Sequence, residues 1–217
     1  MISETIKLNV PLIHQPKGSD YCTISSGNML MAFLGDKVTT EEMVNSIFDT
    51  EQFDLNGITP RVATFMVNRG YNVFYTTYSS KLITKELKNK TQKDISLFKE
   101  KIFKLEMDEK NRKIVEQLEF IVKFMEAGGK FSSTLATLET IDDYLSKNIP
   151  VSILVRPSVL YQDVKIKRNH TVVITGKDND KYEINDPSTR FDNPYKIEKG
   201  RLFEAWNPSN MLVAIQK

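Results

Sequence analysis

Cys22 is the one cysteine in a chain of 217 residues, and His14 and His170 are the two imidazoles that could activate it. A thiolate paired with an imidazole is the chemistry of acyl transfer: the sulfur attacks a carbonyl and the imidazole moves the proton. The placement of Cys22 suits that role. It follows the loop Pro16 to Tyr21 and opens the first convincing helical pattern, where the positive end of the helix dipole favours a thiolate. Asp20 or Ser19 could cap the same helix end. A lone cysteine is also among the residues most often simply buried, so position by itself leaves both readings open.

The two histidines are not equivalent. His14 lies in the approach loop, where no neighbour in sequence would orient it. His170 opens a β-branched run through Thr175, followed by the turn-forming stretch Gly176 to Asp180. With the turn centred on Asp178, antiparallel pairing sets 170 opposite 186, 172 opposite 184 and 174 opposite 182. Val172, Ile174, Tyr182 and Ile184 would then share an apolar face. His170 and Asp186 would stand side by side at its end, with Cβ atoms about 5 Å apart. A carboxylate there would fix the imidazole tautomer and stabilise the imidazolium. The plainer alternatives are a structural histidine and an Asp-Pro turn. Gln15 lies in the same loop as His14, and its amide could donate to an oxyanion beside the Cys22 backbone N–H. Taken singly, a loop glutamine is polar surface.

These residues need elements to carry them. Met1 to Leu12 reads as an extended lead-in. Ile24, Met29, Leu30, Phe33 and Leu34 recur at helical spacing, with Gly35 as the terminating glycine. A second helix is expected from Thr39 or Thr40 to about Phe48, with Glu42 in capping-box position to Thr39, and a third from Thr59 to Gly70 with Pro60 at its first position. Tyr71 to Thr77 reads as a strand. Residues 80–130 form a helical insertion with apolar stripes Ile95, Phe98, Ile102, Leu105 and Ile114, Leu118, Ile121, Met125. Its 13 basic and nine acidic residues fit a solvated mixed-charge face better than a site for an anionic partner. A helix on Leu138, Ile141 and Leu145 then precedes strands near Val151–Val155, His170–Thr175, Lys181–Asn185 and Met211–Ile215. Helices first and antiparallel strands last imply an α+β fold in one domain, residues 1–217.

Composition narrows the function classes. Thirty Lys and Arg against 28 Asp and Glu leave a net charge of +2, so no nucleic-acid partner is expected. A single cysteine excludes an internal disulfide framework. No secretory leader and no membrane-spanning run is seen, so the expected location is cytoplasmic, without a membrane partner. One Cys and two His fall short of a zinc site built from those residues alone, although carboxylates could in principle complete one. No metal and no cofactor is expected.

At this point the chain resembles a known family, the papain-like cysteine peptidases, and within it the bacteriocin-processing group that cleaves leaders after double glycine. "VPLIHQPKGSDYCTISSGNMLMAFLG" looks like the opening of that group, "VTTEEMV" and "GITPRVATFMVNRGYNV" like its next two helices, "TIDDYLSKNIPVSILV" like the helix and strand before its histidine, and "NHTVVITGKDNDKYEINDPS" like its His strand, hairpin and Asp-Pro. The likeness spans roughly Val10 to Tyr78 and Leu135 to Ser188. It implies a papain-like fold, Cys22 as nucleophile, His170 as general base and acid, Asp186 as its orienting carboxylate and Gln15 as oxyanion donor. It gives His14 no role. The expected substrate is a peptide or protein. Thr23 and Asn169 stand where that group often has Gly, at the cleft wall. No G-x-x-x-x-G-K-[ST] loop is present, so the chain is not expected to be the peptidase portion of an intact transporter. An acyltransferase of the transglutaminase or phytochelatin-synthase kind would use the same residues. A non-catalytic peptide- or protein-binding module is the alternative of a different class, with a possible protein contact through the 80–130 insertion.

Overall fold

The helix that begins at Cys22 carries no charged residue over its 12 positions, and every residue from Thr23 to Met31 is buried. In the computed structural model, which describes residues 5–48, 55–80, 82–106, 108–163 and 168–217, that helix is packed between the sheet and two of the other helices. The order along the chain is β1 (Ile6–Lys7), α1 (Cys22–Phe33), α2 (Thr40–Ile47), α3 (Ile58–Asn68), β2 (Asn72–Thr76), α4 (Ile95–Leu105), α5 (Arg112–Glu126), β3 (Lys130–Ser132), α6 (Leu138–Ser146), β4 (Val151–Val155), α7 (Pro157–Leu160), β5 (His170–Asp178), β6 (Lys181–Asn185), β7 (Tyr195–Glu198), α8 (Lys199–Trp206) and β8 (Leu212–Gln216). Small side chains let α1 approach its neighbours closely: a Cβ on Gly27 would stand 2.8 Å from Val62 and 2.9 Å from Met66 on α3.

The strands form one sheet in the order β3-β2-β8-β4-β5-β6-β7, with β1 added beside β5. All pairings are antiparallel except β2 with β3, which is parallel. Val172, Val173, Ile174, Tyr182 and Ile184 are buried in its centre. Gly176 is required where β1 crosses, because a Cβ there would stand 2.3 Å from the Ile6 carbonyl oxygen.

The β5–β6 hairpin departs from the expected register. β5 runs on to Asp178, which pairs with Lys181 across a two-residue turn at Asn179 and Asp180, with Asn179 at φ 53°. An irregularity between Ile174 and Gly176 then takes up one residue, so that Ile174 pairs with Ile184 and Val173 with Asn185. The pairing is thus displaced by two residues at the site end, and an even displacement keeps every side chain on its face. Continued past Asn185, this register sets Asp186 across from Val172, so His170 meets Asp186 diagonally rather than directly.

Several local expectations are also adjusted. Thr39 does cap α2 by accepting from the Glu42 N–H, but the Glu42 carboxylate pairs with Arg69, so the box is only half formed. α3 starts at Ile58, which places Pro60 third in the helix. The pattern reading did not contain β3, β7, α7 or α8. These run from three to eight residues, and each carries too few apolar positions to show a period.

Residues 80–130 do hold two helices, and an aromatic chain ties them to the sheet. Phe98 of α4 meets Phe131 of β3 edge-on at 5.4 Å, Phe131 meets Tyr75 of β2 at 5.5 Å, and Tyr75 meets Phe124 of α5 at 5.8 Å. Phe98 and Phe124 are fully buried, as a shared core requires. Among the described residues no helix is long and apolar enough to cross a membrane. The Phe98→Ala variant is expected to lose about 3–5 kcal/mol of stability and to unfold in urea in one cooperative transition. A separate early transition would instead mark the 80–130 helices as an independent unit.

Candidate active site

Cys22 is the first residue of α1, with no acidic residue in the first turn to oppose a thiolate there. The N-cap position is Tyr21, whose side chain makes no capping bond. The expected caps are engaged elsewhere: Ser19 Oγ donates to the Pro16 carbonyl, and the Asp20 carboxylate pairs with Arg168. That ion pair connects the loop before the thiol to the residues before His170.

His170 opens β5, where it pairs with Val155 of β4. Its Nε2 lies 2.7 Å from Asp186 Oδ1, which leaves Nδ1 for the thiol. Asp186 follows the last residue of β6, and its side chain has no solvent exposure. Burial alone would push its carboxyl up, but the hydrogen bond and charge of His170, with further donors from Tyr161 and the Ser188 N–H, outweigh that and hold it below the usual carboxylate range.

The same opposition acts on the other two groups. Burial pushes the Cys22 thiol up, yet the hydrogen bond and charge of His170, followed by hydrogen bonds from Thr171, bring it below its ordinary 9.0. Burial pushes His170 down, and hydrogen bonds and charge from Asp186 and Cys22 reverse this and raise it to about 9. A thiol that falls and an imidazole that rises both favour a thiolate–imidazolium pair over the neutral pair.

α1 is held against β5 immediately behind this pair. Thr23 Oγ1 and Thr171 Oγ1 are 2.8 Å apart, and Ser26 Oγ donates to the Thr171 carbonyl at 3.3 Å. Thr23, singled out as a departure at the cleft wall, therefore bridges the two halves of the site. Gln15 is brought in by bonds to the β5–β6 hairpin and the turn after it: Leu8 N–H donates to the Thr175 carbonyl, Asn185 Nδ2 to the Val10 carbonyl, and Gln15 N–H to the Pro187 carbonyl, each at 2.8 Å. The Gln15 amide nitrogen donates to the Ser19 carbonyl at 2.5 Å, and Oε1 is buried without a hydrogen-bond partner among the described residues. One N–H of that amide remains for another acceptor. His14 is exposed.

The structure thus brings together Cys22, His170 and Asp186, with Gln15 fastened to the turn after Asp186. A sequence model of the family described as Peptidase_C39 like matches residues 7–211. The chain belongs to the Peptidase_C39 like family. Among solved structures, a crystal structure from Bacillus anthracis, titled as a C39-like peptidase, superposes with a TM-score of 0.57 at 15% identity, covering 99% of this chain and 98% of that one. That likeness concerns the fold, which is the papain-like α+β arrangement expected from the sequence. No curated protein sequence matches.

Two residues of this C39-like site had no signal in the sequence reading. Tyr161, just past α7, donates to Asp186 Oδ2 at 2.5 Å, and Tyr195, first in β7, donates to the same oxygen at 3.0 Å. Both lie outside the quoted motifs, and nothing in a single sequence distinguishes them from other tyrosines.

The ion pair predicts the reactivity of the thiol. Alkylation of Cys22 by iodoacetamide is expected to show a midpoint below pH 9.0, the ordinary thiol value. In His170→Ala the two largest lowering interactions are gone while burial and the Thr171 bonds remain, so the alkylation midpoint is expected to rise. An unchanged midpoint would separate His170 from the thiol.

Proposed function

We propose that this protein is a cysteine peptidase that cleaves peptide or protein substrates through Cys22, His170 and Asp186, with Gln15 as oxyanion donor. The observation that carries the reading is the continuous contact from Cys22 to His170 to a fully buried Asp186, on a chain of the Peptidase_C39 like family.

In the first step the Cys22 thiolate attacks the scissile carbonyl carbon, and the carbonyl π electrons move onto oxygen. The oxyanion takes the Cys22 backbone N–H at the helix terminus and the spare N–H of the Gln15 amide. As the tetrahedral intermediate collapses, His170 Nδ1 gives its proton to the departing amine, the C–N bond breaks and an acyl thioester remains. Water then attacks the thioester carbon and passes a proton to Nδ1. The C–S bond breaks, which restores thiolate and imidazolium and releases a carboxylic acid. Asp186 keeps the ring oriented by accepting from Nε2 at both stages.

Specificity is a separate matter from the reacting groups. Processing after double glycine, as in the bacteriocin group that the sequence resembles, is the narrower form of this reading. Thr23 bonds Thr171 at the wall behind the nucleophile, and Asn169 directly precedes His170, so the wall that would select two glycines is altered at both places. The substrate class is therefore kept at peptides and proteins.

The test is incubation with a mixed peptide library and a double-glycine leader peptide, read by mass spectrometry in water enriched in ¹⁸O. Hydrolysis is expected to place ¹⁸O in each new C-terminal carboxylate. Cys22→Ala is expected to lose at least about 10³-fold in rate, and Gln15→Ala about 10²-fold. New amides on added amines, without ¹⁸O uptake, would assign acyl transfer instead. No turnover together with ordinary thiol alkylation would sink the enzymatic reading.

A further inference from the structure

Asp186 has more hydrogen-bond donors than the orientation of an imidazole requires. Oδ1 accepts from His170 Nε2 at 2.7 Å and from the Ser188 backbone N–H at 2.8 Å, while Oδ2 accepts from the Tyr161 hydroxyl at 2.5 Å and from the Tyr195 hydroxyl at 3.0 Å. The carboxylate is thereby saturated on both oxygens. One oxygen faces the reacting side, and the other is given wholly to two phenols.

Those phenols are built into place. The Phe191 ring lies between them, 5.5 Å from the Tyr161 ring and 4.5 Å from the Tyr195 ring, and the Arg190 guanidinium stands 5.6 Å from the Tyr161 ring centroid. The Tyr161 ring is also 6.1 Å from the His170 ring. Burial and the adjacent Asp186 charge push both hydroxyls well above the ordinary phenol value, so they remain protonated donors throughout the working range. The titratable and charged groups that reach this cluster are Cys22 from α1, His170 from β5, Asp186 and Arg190 from the segment after β6, Tyr161 from the end of α7 and Tyr195 from β7.

A phenol bonded to a carboxylate forms a charge-assisted hydrogen bond and draws electron density toward itself. Whatever density Oδ2 shares with two phenols is withheld from the bond between Oδ1 and the imidazole. That matters because His170 has two opposed duties. It must hold a proton to keep Cys22 ionised, and it must release that proton to the leaving amine. A general acid works best when its pKa is not far above the operating pH.

We propose that Tyr161 and Tyr195 are positioning residues that act through Asp186, fixing Oδ1 on His170 and drawing charge to Oδ2 so that the imidazole is not made too basic to give up its proton. The proposal rests on the reading of Cys22 and His170 as the reacting pair. It differs from a purely structural role in one respect. Removal of the hydroxyls, with the rings left in place, concentrates the Asp186 charge on His170 and raises the pH at which the imidazole deprotonates.

The measurement is a pH titration of the imidazole ¹H and ¹⁵N signals by NMR. The chain has two histidines, so His14→Ala assigns them at once. The full-length protein is compared with Tyr161→Phe, Tyr195→Phe and the double variant, each checked for folding by circular dichroism. The His170 midpoint is expected to rise in both single variants, more in Tyr161→Phe because its bond is the shorter. In the double variant the rise is expected to reach about half to one pH unit, with the alkaline limb of any Cys22-dependent hydrolysis moving in step. If the double variant fails to fold, the single variants carry the test. A His170 midpoint that stays or falls in the folded Phe variants overturns the proposal. If in that case wild-type His170 is raised and Cys22 alkylation depends on it, the reacting pair stands without the tuning phenols. A wild-type His170 that titrates at its ordinary value overturns both.

Discussion

A carboxylate with no access to water is the constraint that orders the half of this molecule in which Cys22 and His170 meet. An unpaired buried charge costs several kcal/mol or more, so Asp186 is tolerable only while its neighbours remain in place. Those neighbours come from separate elements within residues 161–195: an imidazole from the start of β5, a backbone N–H from the turn after β6, and hydroxyls from the end of α7 and the start of β7. The requirement also reaches backwards. The Pro187 carbonyl, one residue beyond Asp186, accepts from the Gln15 N–H, so the turn that satisfies the carboxylate also fixes the loop leading to Cys22. The hairpin and the site are therefore held by the same contacts.

The thiol side is held by a different kind of contact. Beyond Cys22, α1 has no ionisable side chain, and it meets β5 through hydroxyls, Thr23 against Thr171 and Ser26 against the Thr171 carbonyl. Thr171 also reaches the Cys22 sulfur, so the residue beside the imidazole in sequence helps to stabilise the anion that the imidazole serves. The separation of sulfur and ring is set by a helix packed on a strand, both rigid, rather than by loops. The bond between Asp20 and Arg168 adds an exposed link above them, of small energetic weight.

How much of this was legible in the sequence depends on whether a feature has a period. α1, α6, β4 and the core of the hairpin follow from apolar spacing, because burial of one face repeats at the period of the element. The juxtaposition of His170 with Asp186 followed even from an incorrect register, since a slip of two residues preserves the face and moves a direct neighbour to a diagonal one. The irregularity near Gly176 could not be foreseen: it lies where β1 pairs with β5, a contact across the fold that no local pattern announces. Tyr161 and Tyr195 were invisible for a related reason. A hydrogen bond to a buried carboxylate is specified by three-dimensional closure, and single tyrosines in short elements carry no period and no motif.

The parallel pairing of β2 with β3 gives residues 80–130 a further meaning. Antiparallel neighbours can be joined by a two-residue turn, but parallel ones need a return path of a dozen or more residues to bring the chain back to the same end of the sheet. α4 and α5 lie on that path, between Thr76 and Lys130. The segment is thus a crossover connection with a minimum permissible length set by topology. Above that minimum, evolution is free to lengthen or reshape it without disturbing the strand order. Below it, the outermost strand of the sheet is lost.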